Sequence, residues 1–204
     1  SFTSIEYMTK LTWCWPFLHI FIGILAAICG YVSIEFLHLN SFFTATIVYA
    51  FLMLITGYNH LDGVMDMADG VRVHGAPEKK IRIMKDPSVG AGGVATLFLV
   101  ASLTIAGLYN ILDYNFIFGI IISEMTAKTS LLTTALLSKP LTPGIGSYFI
   151  KETTLSNYLA STLIIAVIAL LLGNFVGLMG VIGSIVSGLL IALIARRNFV
   201  LANG

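Results

Sequence analysis

Charge is what this sequence has least of: charged side chains make up only 10% of its 204 residues, against 57% apolar, and the mean hydropathy is +0.95. Soluble globular domains carry about a quarter charged residues, so that class is excluded and an integral membrane protein is expected. Net charge is equally slight, since 11 Lys and Arg against 10 Asp and Glu leave +1, which gives no electrostatic basis for binding nucleic acid. Cysteine is scarce too: Cys14 and Cys29 lie in or beside apolar sequence without metal-ligand spacing and read as small buried hydrophobes. Ser1 to Trp13 lacks the basic start and cleavable apolar core of a signal peptide. No low-complexity tract interrupts the chain, nor any repeat of the inverted-transporter kind. The sequence runs from Ser1 to Gly204, just past Arg196-Arg197, and reads as a fragment with both natural ends missing.

What is present in quantity is long apolar sequence. A helix crosses a hydrocarbon layer of about 30 Å in roughly 20 residues. Six runs approach that length: Trp15–Leu37, Phe42–Thr56, Val94–Ile111, Tyr114–Leu137, Leu155–Leu172 and Phe175–Ala195, the second being short and continuing into the polar stretch after it. They predict an all-α, polytopic membrane helix bundle of about six transmembrane helices, one integral-membrane domain over 1–204. Lys and Arg alternate across the connections as the positive-inside rule requires. Lys10 precedes the first run, Arg72, Lys79, Lys80, Arg82 and Lys85 separate the second and third, Lys139 and Lys151 the fourth and fifth, and Arg196 and Arg197 follow the sixth. The links near Leu39–Ser41, Leu112–Asp113 and Gly173–Asn174 have none. Both termini and the long polar connection are therefore expected to face the cytoplasm, in the plasma membrane. Gly180, Ser184 and Gly188 recur every four residues and predict close helix packing.

Ten of the 21 charged residues fall between Tyr58 and Gly93, so the connection at about 58–93 is the candidate catalytic region. On a helix Asp62, Asp66 and Asp69 stand at i, i+4 and i+7 and share one stripe, while Leu61, Val64, Met65 and Ala68 cover other faces. Two carboxylates about 6 Å apart repel by roughly 3 kcal/mol at an effective dielectric of about 20, so a cation should compensate them. An all-carboxylate set suits a hard divalent ion, and Mg²⁺ sharing its shell with phosphate oxygens suggests chemistry on a diphosphate. Arg82 and Lys85 supply the opposite sign and are candidate phosphate anchors. The turn Pro87-Ser88-Val89-Gly90-Ala91-Gly92-Gly93 opens the third run, where glycines let backbone amides approach an anion; Ser88 and Gly90 join the substrate-binding candidates. Within the fourth run Glu124 and Lys128 form an i, i+4 pair that should face the bundle interior, as a structural bridge or, through Lys128, a substrate contact. Membrane lipid and a second copy of the chain are the expected macromolecular neighbours. Glu35 and His38 read as interfacial, and His19 and His74 carry no partner pattern.

The run His60-x-Asp62-Gly63-x-x-Asp66-x-x-Asp69-Gly70, followed by Ile83-Met84-Lys85-Asp86-x-Ser88-x-Gly90-Ala91, closely resembles the signature of the cobalamin synthase (adenosylcobinamide-GDP ribazoletransferase) family. Trp15-Pro16-Phe17, Lys139-Pro140 and Gly144-Ile145-Gly146 extend the resemblance over most of the chain. It implies a multi-span, magnesium-dependent transferase that joins adenosylcobinamide-GDP to α-ribazole, or its 5′-phosphate, and releases GMP. On matching positions it implies Mg²⁺ on Asp62, Asp66, Asp69 and Asp86, a general base among the first three, and a phosphate or carboxylate contact at His60. Arg82 stands where that family usually has an acid, and the family's Gly-Asp-containing tail is not matched after Arg196-Arg197.

Two competing readings remain open. Asp66-x-x-Asp69-Gly70 is similar to the opening of the CDP-alcohol phosphotransferase motif of phospholipid synthesis, but the Ala-Arg pair and the later acids of that motif are missing. A small cation transporter would need acids spread through membrane depth, whereas most here cluster in one connection.

Overall fold

The computed structural model describes residues 11–112, 115–141 and 144–199. Among these residues regular structure is helical throughout: a short 3₁₀ turn (Thr12–Cys14), α1 (Trp15–Glu35), α2 (Ser41–Ile55), α3 (Asn59–Arg72), α4 (Pro77–Met84), α5 (Ala91–Leu112), α6 (Phe116–Leu137), α7 (Ile145–Glu152) and α8 (Leu155–Phe199). Start signals are local. The Asn40 side chain accepts the Phe43 amide at 3.0 Å to cap α2, and Pro77 takes the first position of α4, where a missing N–H costs nothing. Lys10, Asp113 and Tyr114, which entered the sequence expectations, lie outside the described residues.

Four helices are long and apolar enough to cross a membrane: Thr12–Glu35 with its 3₁₀ start, α5, α6 and α8. A fifth span arises only if α2 and α3 are taken together, and these are bent by 91°. The acidic stretch therefore does not prolong the second apolar run in a straight line. The Tyr58 amide bonds the Met53 carbonyl (3.0 Å) and the Gly57 amide that of Leu54 (3.1 Å), with Gly57 at φ 65° and Tyr58 at φ 61°. This left-handed exit from a helix is one that glycine accepts without steric cost. It turns the polar α3 out of the line of α2, and we treat α3 as part of the connection.

At 45 residues α8 would be about 67 Å long if straight, twice a hydrocarbon layer. It is broken at Asn174 (φ 51°, ψ −144°). Gly177 comes so close to Ala169 that a Cβ there would overlap the Ala169 carbonyl, so residues 155–173 and 175–199 fold back on each other. All six apolar runs are thus helical, the short one being α2. Side chains such as Leu18, Phe21, Phe98, Leu103, Leu171 and Val176 are exposed, as a lipid-facing surface requires.

The chain divides into two compact units, one of residues up to Leu25 with Ile117–Arg196, the other of Ala26–Phe116 with the residues from Arg197 on. In the first unit Ile122 and Met125 of α6 pack with Ile165, Ala169 and Val181 from both halves of α8, and Phe17 and Ile20 of α1 close over them. Leu132, Ala135 and Phe149 form a second cluster with Trp15, whose ring meets that of Phe149 edge-on at 4.9 Å.

The small-residue stripe of the last run serves α6, as expected. Gly188 lies against the Ser130 carbonyl and the Thr133 side chain, Gly180 faces Ile122, and Thr134 Oγ1 donates to the Gly188 carbonyl at 3.1 Å. Replacing Gly188 with Val should overpack this contact and destabilise the protein by about 1–3 kcal/mol, read as a lowered unfolding temperature in lipid; an unchanged temperature would show that the helices separate at no cost there.

Candidate active site

The three carboxylates expected on one stripe do lie on one helix, α3, at successive turns. Asp62 and Asp66 are exposed and Asp69 is half-buried, while Leu61, Val64, Met65 and Ala68 occupy half-buried positions between them. Asp62 sits in the first turn, where the helix dipole favours an acid. Partial desolvation, then the charges of Asp62 and Asp69, push the Asp66 carboxyl above its ordinary range. Neither Asp62 nor Asp66 has a hydrogen-bond or ion-pair partner among the described residues.

Asp69 is placed differently. Its Oδ2 accepts the Gly90 amide at 2.7 Å and its Oδ1 the Gly93 amide at 2.8 Å. The glycine-rich turn thus meets an anion at the start of α5, as the sequence suggested, and that anion is a side chain of the protein itself. Asp86 also serves the loop: it accepts the Ser88 amide at 2.8 Å, a bond that holds its carboxyl below the usual range.

The helix α4 packs on α3, with Met84 and the ring of Phe199 closing over the buried Gly70. Lys79 Nζ donates to the His74 carbonyl (3.3 Å) and Lys80 Nζ to Asn198 Oδ1 (2.6 Å). Arg82 and Lys85 are exposed and form no ion pair among the described residues. Arg72, one turn beyond Asp69, runs its side chain beside Gly92, and His60 is exposed in the first turn of α3.

The second unit therefore holds His60, Asp62, Asp66, Asp69, Arg82, Lys85, Asp86, Ser88 and Gly90. Lys128 belongs to the first unit, where it is buried on α6. Its neighbour Glu124 hydrogen-bonds His19 Nδ1 of α1 at 3.2 Å, a partner the sequence left unassigned because it lies 105 positions away. Asp62, Asp66, Asp69 and Asp86, which the resemblance implies as Mg²⁺ ligands, are found in two settings. Among the described residues no three His, Cys, Asp or Glu side chains come together as a group able to hold a metal ion. The physical reason is that Asp69 and Asp86 are turned to loop amides. Asp62 and Asp66 remain open, which fits a magnesium ion of the kind held by one or two carboxylates together with substrate phosphate. Sequence reasoning missed Gly93 and Asn198. Gly93 was signalled only by its place in the glycine run, and Asn198 by nothing.

Comparison with known proteins gives a consistent result. The profile of the cobalamin-5-phosphate synthase (CobS) family matches residues 2–204. An adenosylcobinamide-GDP ribazoletransferase of Methanococcoides burtonii is 32% identical over 100% of this chain and 78% of its own length. One of Methanosarcina mazei is 30% identical over 98% of this chain and 78% of its own, and one of Clostridium botulinum 26% identical over 91% and 74%. No solved structure matches. The phospholipid-synthase and transporter readings fall away, and with a match that runs through the acidic helix, the glycine turn and every apolar run, the chain belongs to the cobalamin-5-phosphate synthase family.

Proposed function

We propose that this membrane protein is an adenosylcobinamide-GDP ribazoletransferase, joining adenosylcobinamide-GDP to α-ribazole or its 5′-phosphate with release of GMP in cobalamin biosynthesis. The observation that carries the reading is the similarity, over nearly all of this chain, to relatives of that name, and the acidic helix beside exposed cations supplies chemistry suited to a diphosphate. Arg72, Lys79, Lys80, Arg82 and Lys85 on the same connection favour a site facing the cytoplasm across the plasma membrane.

In this reading a ribazole hydroxyl oxygen attacks the phosphorus bonded to the corrinoid side chain, the bond from that phosphorus to GMP breaks, and the hydroxyl proton passes to a carboxylate. An open carboxylate of the stripe, Asp62 or Asp66, is placed to receive it. Arg82 and Lys85 bind phosphate oxygens and stabilise the charge that develops there. His60 orients the phosphate or a carboxylate from the first turn of α3. Magnesium, when bound through Asp62 and Asp66, would neutralise charge on the diphosphate and on the stripe.

Purified protein in lipid, given adenosylcobinamide-GDP and α-ribazole, should release GMP in a Mg²⁺-dependent manner, and Asp66→Ala should lose at least about a hundredfold in rate. Absence of both turnover and binding of adenosylcobinamide-GDP would overturn the reading. The same electrostatics predict an effect on stability. A carboxyl whose folded value is raised contributes stability that is full below its ordinary range and is lost as pH rises through the raised value. At pH 7 without divalent ions, Asp66→Asn should therefore unfold about 1–2 °C above the wild type. The gap should close on acidification, and added Mg²⁺ should raise the unfolding temperature of the wild type more than that of the variant.

A further inference from the structure

The amides that Asp69 accepts belong to Gly90, which precedes α5, and Gly93, the third residue of that helix. A helix leaves such donors without an intrahelical partner at its start, and a side-chain oxygen just before the first turn ordinarily serves them. Gly90 has none to offer. The loop is also shaped around the carboxylate from α3: a Cβ on Gly90, Gly92 or Gly93 would run into Asp69, and at the latter two also into Arg72 or Met65. Both Asp69 oxygens are occupied, whereas Asp62 and Asp66, earlier on the same stripe, are open among the described residues.

We propose that Asp69 is a positioning residue, which holds the 87–93 loop and the first turn of α5 against α3, rather than a ligand of the divalent ion. The contrast with Asp62 and Asp66 as metal ligands rests on the proposed transferase function, and the loop-holding role does not. Through Asp69 the loop carrying Ser88 is set at a fixed height on the acidic helix, so its loss should alter the rate of the chemical step rather than the response to metal.

The test compares Asp62→Asn, Asp66→Asn and Asp69→Asn in lipid nanodiscs by amide hydrogen exchange over residues 88–94 and by Mn²⁺ binding followed by electron paramagnetic resonance. Asp69→Asn should speed exchange at Gly90 and Gly93 about tenfold or more, keep Mn²⁺ affinity within about twofold, and lower kcat with the half-activating Mg²⁺ concentration unchanged. Asp62→Asn and Asp66→Asn should weaken Mn²⁺ about tenfold and leave the loop protected. Wild-type protection of the loop in Asp69→Asn, or a loss of Mn²⁺ affinity matching the other two, would overturn the proposal. If the wild-type protein binds no Mn²⁺, the magnesium reading fails by itself and the exchange data still decide the role of Asp69. Should Asp69→Asn not fold, Gly93→Ala keeps all three carboxylates but pushes Asp69 off the loop. Fast exchange with Mn²⁺ binding retained supports the proposal there, and lost Mn²⁺ binding with a protected loop refutes it.

Discussion

The first turn of α5 begins after a glycine, so its leading amides have no local oxygen to bond. Those of Gly90 and Gly93 are satisfied by Asp69, over twenty positions earlier in the chain, through two bonds to a charged acceptor. Such bonds contribute about 1.5–3 kcal/mol each, more than a neutral pair, because one partner carries a full charge in a half-buried place. Much of the second unit depends on this contact. It sets α5 against α3 at glycine distance and carries the 87–93 loop to the acidic helix, with the Asp69 carboxylate and the side chain of Arg72 close against Gly92.

One helix thereby presents carboxylates of two kinds. Asp62 and Asp66 are exposed, and partial desolvation, then the charges of Asp62 and Asp69, raise the Asp66 carboxyl. Asp69 lies on the same stripe, but its charge is met by amide dipoles. A stripe with three open acids would be harder to fold without an ion, and one with none would have nothing to offer a metal or a proton. The exposed cations Arg82 and Lys85 form no ion pair among the described residues, so their charge remains available to an anionic substrate.

The first unit solves a different problem, that of packing apolar helices where burial alone gives little preference for helix over lipid. Its close contacts use small residues, with Gly188 on Ser130 and Thr133, and Gly23 on the backbone of Ile121. The charged groups of α6 are kept inward: Glu124 takes His19 as partner and Lys128 is buried one turn further along. An isolated charge at such depth costs about 3 kcal/mol on insertion scales, which is why these side chains occupy the interior.

Hydropathy and the spacing of residues along the chain were enough to read six apolar helices, the polar connection, the acidic stripe of α3 and the small-residue face of the last run. All of these are properties of residues within a few turns of one another, and local spacing determines which face they share. The 91° bend at Gly57 and Tyr58 is local as well, made by bonds to the Met53 and Leu54 carbonyls, although hydropathy ran straight through it. Two features were decided only by tertiary structure. The His19–Glu124 bond joins residues over a hundred positions apart. Above all, the four carboxylates are alike in sequence, and nothing local distinguishes Asp69 from Asp66. Which acid caps a helix and which stays open depends on where the start of α5 comes to rest, because a carboxylate is claimed by whichever unsatisfied amides the fold brings within about 3 Å of it.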